Sequence, residues 1–394
     1  MTRLQTQVTI VGAGPAGLTL AHILHRHGIE SIVIERRDRE YVERRLRAGV
    51  LEQGSVDLLR AIGVGERMDR EGLVHHGVHL QFEGERHRIA LSDLTGGRAI
   101  TVYGQHEVVK DLVAARIGYG GALMFDCDDV QLHDLTTEHP VVRFNRGGVE
   151  QELRCDFIAG CDGSHSACRS AIPAAQVKTW ERKYPFSWLG ILAAVPPSLD
   201  EIVYAWHERG FALHSMRTPQ VTRLYVQCHP DEHLEAWPDQ RVWEELKVRL
   251  ATTDGWSLNE GPVLEKSITA MRSFVMEPMQ HGRLYLAGDA AHVVPPTGAK
   301  GMNLALADVR VLGGALASWY RTGDSAPLER YSSSCLRRVW RAEHFSWWMT
   351  SMLHRFPGED PFQAKLQLAQ LRYVCTSVAA ATSMAENYVG LDDV

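Results

Sequence analysis

Apolar and polar positions change their period several times along the chain. Residues 7–12 (QVTIVG) are a short β-branched run that predicts a buried strand. From Pro15 to His27, apolar residues at Leu18, Ala21, Ile23 and Leu24 recur at helical spacing, and Gly28 stands where such a helix would end. Residues 31–35 (SIVIE) return to the buried-strand pattern. A strand–helix–strand unit of about 30 residues is the size of a parallel nucleotide-binding unit.

Further on, 51–62 and 105–117 read as helices, and 76–83, 86–91, 139–144 and 151–158 as strands. Between about 179 and 275 the texture becomes aromatic and β-branched, at 184–194, 202–206, 210–216 and 222–229. That predicts a mainly antiparallel sheet with one face toward a pocket, interrupted by a helix at 239–250. A buried strand follows at 283–287, and helical pattern fills the chain from 301 to about 384, with a break near Pro357 to Pro361. The expected fold is α/β. Residues 1–178 would form a Rossmann-like dinucleotide-binding domain and 179–287 a mainly β domain with a pocket. Residues 288–394 would hold a turn at the cofactor and a C-terminal helical interface region.

Composition narrows the classes. With 394 residues the chain is long enough for two or three domains. A net charge of -6 offers no basic field for nucleic acid or an anionic membrane. There is no secretory leader pattern and no apolar run near the roughly 20 residues of a membrane span. The seven cysteines are scattered and include no CxxC, so neither a disulfide framework nor a zinc site is expected, and no metal is called for. A cytoplasmic protein with free thiols is the natural expectation.

Gly12, Gly14 and Gly17 give GxGxxG between the first strand and helix. The first glycine permits a tight turn, the second lets a pyrophosphate approach the backbone, and the third lets helix and strand pack closely. The helix N-terminus presents N–H groups to the phosphate. Glu35, 18 residues after Gly17, ends the second strand where an acid can hold ribose hydroxyls. GDAAH at 288–292 places Asp289 for a ribityl hydroxyl, and GCDGSHSACR at 160–169 contains Asp162. The stretch PPTGAKGMN (295–303) leads into a helix. The first N–H groups of that helix, near Met302 and Asn303, could face the negative charge of a reduced flavin.

In this order and spacing the motifs resemble the single-component FAD-dependent aromatic hydroxylases, and among them the 4-hydroxybenzoate 3-monooxygenases. The resemblance runs almost end to end. It includes RAGVLEQG (47–54), TVYGQHEV (101–108), IAGCDGSH (158–165), RGFAL (209–213), residues 273–305, HFSWWMTS (344–351) and AENYVGL (385–391). It implies hydroxylation of 4-hydroxybenzoate beside its phenol, with FAD, NADPH and O2. A related hydroxylase of 3-hydroxybenzoate or an aminobenzoate is the alternative. From other classes, a flavin-binding sensor without turnover and a plain NAD-dependent dehydrogenase would be separated by substrate-stimulated oxygen uptake and by a yellow preparation.

The resemblance also implies roles that the residues can perform. Arg217 would bind the substrate carboxylate, since a guanidinium fork matches it with two parallel bonds, and Ser215 and Tyr225 would add hydroxyls. Tyr204 would meet the phenol, Tyr388 would partner it in a proton relay, and His75 would be the outlet to solvent. The Pro296 carbonyl would accept the phenol proton, and Asn303 would position flavin and Tyr388. Arg45, Arg47 and Gln105 would contact FAD, as would the turn at Gly298. For the nicotinamide, His165, Arg169 and Arg272 would take the pyrophosphate and ribose. Arg36, Arg37 and Tyr41 favour a 2′-phosphate while Asp38 and Glu40 oppose it, so NADPH is expected with NADH possible. The resemblance further implies a homodimer, with Trp340, Trp347 and Trp348 in the helices that would make it. Trp206, beside Tyr204, has no account at this level.

Overall fold

The computed structural model describes residues 2–391 except 46 and 48. The glycine-rich unit folds as read. Strand Val8–Val11 is buried along its whole length, helix Pro15–Arg26 follows, and strand Ser31–Ile34 lies parallel to the first. These strands belong to a six-stranded sheet in which Phe157–Gly160 pairs with Val8–Val11, and Leu284–Leu286 pairs with Phe157–Gly160. Both faces of this sheet are covered, so its strands are continuous apolar runs rather than alternating ones. Helix Gly301–Thr322 packs against Pro15–Arg26, and Gly313 allows it, because a Cβ there would lie 2.5 Å from Ile23.

The second large sheet has eight strands. Its long central members, Lys178–Ala193 and Val263–Glu277, run antiparallel, and Val221–Cys228, Ala212–Thr218 and Ile202–Ala205 extend it in turn. Side-chain alternation sorts its two faces. Leu189, Ile191, Val203, Ala205, Leu224 and Val226 point to one side and pack on helix Asp239–Arg249. Ile202, Tyr204, Trp206 and Leu213 point to the other, toward the C-terminal helices Tyr331–Leu353, Pro361–Thr376 and Val378–Val389.

One part of this sheet departs from the expected layout. Strands Val78–Phe82 and Glu85–Ile89 come from the segment assigned to the FAD-binding domain, yet they complete the eight-stranded sheet, with Val78–Phe82 parallel to Ile202–Ala205. A parallel pairing between segments more than a hundred residues apart leaves no local trace in the sequence. All seven cysteines are free. No helix among the described residues is long and apolar enough to cross a membrane.

Candidate active site

The three glycines of the first turn do different things. A Cβ on Gly12 would lie 2.3 Å from the Cys161 carbonyl oxygen, and one on Gly17 would lie 2.0 Å from the Gly12 carbonyl oxygen. Both positions exclude a side chain because backbone already fills the space. Gly14 has nothing within 4 Å, so it leaves open room at the helix start. Glu35 is held at the adjoining strand end, its carboxylate accepting from the Ala13 N–H at 2.8 Å and the Arg37 N–H at 2.9 Å. Asp289 is exposed between the buried Gly288 and Ala290. Asp162 accepts from Ser166 Oγ at 2.5 Å and from the Cys168 N–H at 3.1 Å, which shapes its loop. An open glycine, a strand-end acid and an exposed acid on a tight turn fit a flavin dinucleotide.

Sheet register builds a second constellation. Leu80, Tyr204, Leu213, Tyr225 and Gly190 are successive partners across five strands, so they share one face. Two residues along, Ser215 lies opposite Arg223 on that same face. Gly190 makes room: a Cβ on it would sit 2.9 Å from an Arg223 Nη and 3.1 Å from the Tyr225 ring. Arg217 follows Ser215 by two residues, and one of its Nη atoms donates to the Arg47 carbonyl. Among the described residues its buried Nε has no partner, and neither do Nε and one Nη of Arg223. Unpartnered buried guanidinium donors are costly unless an anion meets them. This face therefore suits a carboxylate.

At the other end of the row, the Tyr204 hydroxyl lies 2.5 Å from that of Tyr388, and both side chains are buried. Burial raises the pKa of each, so both stay protonated at neutral pH. Tyr388 is carried on the last helix, Val378–Val389. Its backbone carbonyl accepts from Lys300 Nζ at 3.1 Å, and Lys300 is also paired with Glu52 at 2.5 Å. Lys300 precedes helix Gly301–Thr322, which has no side-chain cap, so its first N–H groups at Gly301, Met302 and Asn303 are open. The turn before it contains Pro296–Gly298, whose Pro296 carbonyl accepts from the Ala299 N–H at 2.9 Å. A small cleft of about 60 Å³ opens beside this turn, lined by Glu52, Lys300, Asn303, Arg341 and Asn387; Tyr204, Arg217 and Tyr225 do not line it.

With this geometry in place, comparison with known proteins is decisive. A family model described as an FAD binding domain matches residues 5–346. The chain is 50% identical to the p-hydroxybenzoate hydroxylase of Acinetobacter baylyi over 391 residues, covering 99% of this chain and 96% of that one. The chain belongs to the single-component FAD-dependent aromatic hydroxylases. A more distant relative, a 3-(3-hydroxy-phenyl)propionate/3-hydroxycinnamic acid hydroxylase of Mycolicibacterium gilvum, is 27% identical and aligns with 79% of this chain and 53% of its own length. Among solved structures, a p-nitrophenol 4-monooxygenase from Pseudomonas putida superposes with a TM-score of 0.83 over 99% of both chains at 18% identity. An aklavinone-11 hydroxylase complex gives 0.73 over 90% of this chain and 70% of that one, at 22% identity.

Several residues of this hydroxylase sit differently from expectation. His75 is buried, its ring nitrogens lack a partner among the described residues, and no direct hydrogen bond joins it to the tyrosines. Burial lowers its pKa to about 4, against the opposing pull of Glu201. Asn303 works on backbone here. Its amide donates to the Val50 and Ala299 carbonyls and its oxygen accepts from the Glu52 N–H, tying the turn to the strand Val50–Leu51. Arg169 is committed to the Ser164 and Ala290 carbonyls at 2.6 and 3.0 Å, so it clamps two cofactor-side loops together rather than lying free for a nicotinamide. His165 is exposed, and Arg272 lies 3.8 Å from Glu181. Ser215 is buried, its hydroxyl donating to the Met216 carbonyl at 3.3 Å. Gln105 opens helix Gln105–Gly118, while Arg45 and Arg47 are exposed.

Trp206 now has an account. It shares the face of Tyr204, and its indole N–H donates to Gln367 Oε1 at 2.9 Å. Gln367 is itself held by the Ser351 and His354 carbonyls. The sequence assigned no role to Lys300, Glu52 or His106, and Arg223 entered only as a neighbour of Tyr225 downstream of Arg217. The alternation that puts Arg223 beside Ser215 was readable, but the register was not.

Proposed function

We propose that this hydroxylase converts 4-hydroxybenzoate to 3,4-dihydroxybenzoate, using NADPH and O2. One oxygen atom enters the ring beside the phenol and the other leaves as water. The observation that carries the reading is the shared sheet face, with unpartnered arginine donors at one end and the Tyr204–Tyr388 pair at the other. The name of the Acinetobacter baylyi relative supports the same substrate.

When bound, FAD supplies hydride acceptance and oxygen activation. The chain supplies position and charge. Gly12, Gly14 and Gly17 admit the dinucleotide, Glu35 holds ribose hydroxyls, Asp289 and Asp162 border the cradle, and Arg45, Arg47 and Gln105 meet its phosphates. Gly298, Met302 and Asn303 form the turn at the pyrimidine edge, where open N–H groups favour negative charge. Arg217 binds the carboxylate through two parallel bonds, with Ser215 and Tyr225 adding hydroxyls. Tyr204 takes the ligand's phenolic proton in exchange for its own, which passes to Tyr388. The second lone pair of the Pro296 carbonyl is available to the phenol. His75 is the far acceptor, and its low basicity means that a proton reaching it moves on rather than staying.

NADPH is favoured over NADH by how the acids near its site are occupied. Asp38 caps the Tyr41 N–H at 2.7 Å and Glu40 pairs with Arg44 at 2.6 Å, so both are engaged within their own helix. Arg36 and Arg37 stay exposed beside Tyr41, with Arg37 over its ring at 5.0 Å. His165 and Arg272 complete the nicotinamide side, and Arg169 acts there through the loops it clamps. Free cysteines fit a cytoplasmic setting, and the exposed Trp340 and Trp347 of helix Tyr331–Leu353 are candidates for a homodimer contact. The functional regions are 1–178 for FAD, apart from strands Val78–Phe82 and Glu85–Ile89, which join the substrate region 179–287, and 288–394 for the flavin turn and interface helices. The test is NADPH oxidation by the flavin-loaded protein with and without 4-hydroxybenzoate. Stimulated oxidation yielding 3,4-dihydroxybenzoate is expected; equal rates with and without the acid would refute the reading.

A further inference from the structure

His106 is unlike the other histidines of this molecule in its surroundings. It is the second residue of helix Gln105–Gly118, two positions after the N-cap Gly104. Its Nε2 lies 2.9 Å from Glu107 Oε1, while its buried Nδ1 has no partner among the described residues. A methyl group added at Gly104 would lie 2.8 Å from His106 Nδ1 and 3.2 Å from an Arg217 Nη. The imidazole and the guanidinium thus share one small space over a glycine that has no side chain to separate them.

The tautomer follows from these contacts. The Glu107 carboxylate beside Nε2 favours the hydrogen on that nitrogen, which leaves the lone pair on Nδ1. The groups facing His106 are Arg217, Glu107, Lys110 and Arg67. Glu107 is shared with Lys110 at 2.9 Å and with Arg67, which dilutes its pull on the imidazole. Burial comes first and Arg217 second in pressing His106 toward its neutral form, with a pKa of about 4. An anion seated on Arg217 would cancel that second influence and give Nδ1 a partner.

We propose that His106 is an additional carboxylate-binding residue of the substrate site, neutral when the site is empty and taking up a proton from solvent when a carboxylate docks on Arg217. The protonated ring then donates Nδ1–H toward that carboxylate while Nε2–H stays on Glu107. This deepens the function proposed above and rests on Arg217 as the carboxylate anchor. It makes binding of the acid pH-dependent through the protein, in the direction of tighter binding at lower pH.

The test uses benzoate, which has the carboxylate but no phenol, and the flavin-loaded protein. Affinity is followed by flavin absorbance, and proton uptake by calorimetry in two buffers of different ionisation heat. The wild type is expected to take up protons on binding, and its affinity should fall at least about fivefold from pH 5.5 to 7.5, as a coupled histidine requires. In His106→Asn both effects should vanish, with retained flavin content showing that the variant folds. Wild-type binding without proton uptake, or an unchanged pH profile in His106→Asn, overturns the inference. If 4-hydroxybenzoate still stimulates NADPH oxidation in that case, the proposed function stands without it. Failure of benzoate to bind at all, together with no stimulation by 4-hydroxybenzoate, would overturn both.

Discussion

Replacing Arg217 with lysine isolates the fork from the charge. Arg217 spends one Nη on the Arg47 carbonyl and leaves its Nε buried and unpartnered. A lysine keeps the positive charge but presents a point donor on a flexible stem, so one of the two parallel bonds to a carboxylate is lost. A hydrogen bond to a charged group contributes about 1.5–3 kcal/mol. Taking about 2 kcal/mol, and about 1.4 kcal/mol for each factor of ten, the Kd for 4-hydroxybenzoate should rise roughly thirtyfold. The assay is a titration of flavin absorbance at fixed salt, with kcat measured at saturating substrate. Because the anchor acts before and during the reaction alike, kcat/KM should fall far more than kcat. A Kd within about twofold of wild type would mean that the carboxylate binds elsewhere, and the orientation of the ring would have to be reversed or abandoned.

Three further outcomes follow from particular contacts. Tyr204→Phe removes the hydroxyl 2.5 Å from Tyr388 and should let NADPH oxidation continue while the yield of dihydroxylated product per NADPH collapses; a wild-type yield would remove Tyr204 from phenol activation. Gly17→Ala puts a Cβ 2.0 Å from the Gly12 carbonyl oxygen, so the turn must open and the variant should melt below wild type and lose most of its yellow colour. Gly14→Ala, with no protein atom within 4 Å of its Cβ, should keep the wild-type melting temperature and weaken only FAD binding, and equal loss of stability in both would refute this. Glu343 is buried with one carboxylate oxygen unpartnered, and burial raises its pKa from 4.5 to about 7. Its folded form therefore holds a proton that the unfolded chain releases, so this group's contribution is full below about pH 4.5 and is lost as pH rises through about 7. Glu343→Gln should flatten that decline, which at about 1.36 kcal/mol per pKa unit amounts to about 2–3 kcal/mol between denaturant melts at pH 5 and pH 8. Parallel pH dependences in variant and wild type would contradict it.

The cofactor half of the molecule was legible because its constraints are local. Gly12 and Gly17 are excluded from carrying side chains by atoms a few residues away or on the neighbouring strand, and the buried strands flanking them are continuous apolar runs. The substrate half was legible in kind and not in arrangement. Alternation around Ser215 and Tyr225 announced a two-faced sheet, but which residues share a row depends on register across five strands, including Val78–Phe82 from far upstream. For the same reason Arg223 and His106 were invisible: their importance lies in unpartnered nitrogens, which only packing reveals. Arg169 and Asn303 carried expected roles toward ligands, and the structure shows them bonded to backbone, a use that residue type alone does not disclose.

The central claim is that the ring is recognised at both ends, by arginine at the acid and by the tyrosine pair at the phenol. Turnover of 4-hydroxybenzoate should be compared with that of phenol and benzoate, each lacking one end, by NADPH consumption and product identification on one flavin-loaded preparation. The account expects dihydroxylated product from 4-hydroxybenzoate alone. Phenol hydroxylated with comparable kcat/KM would contradict it.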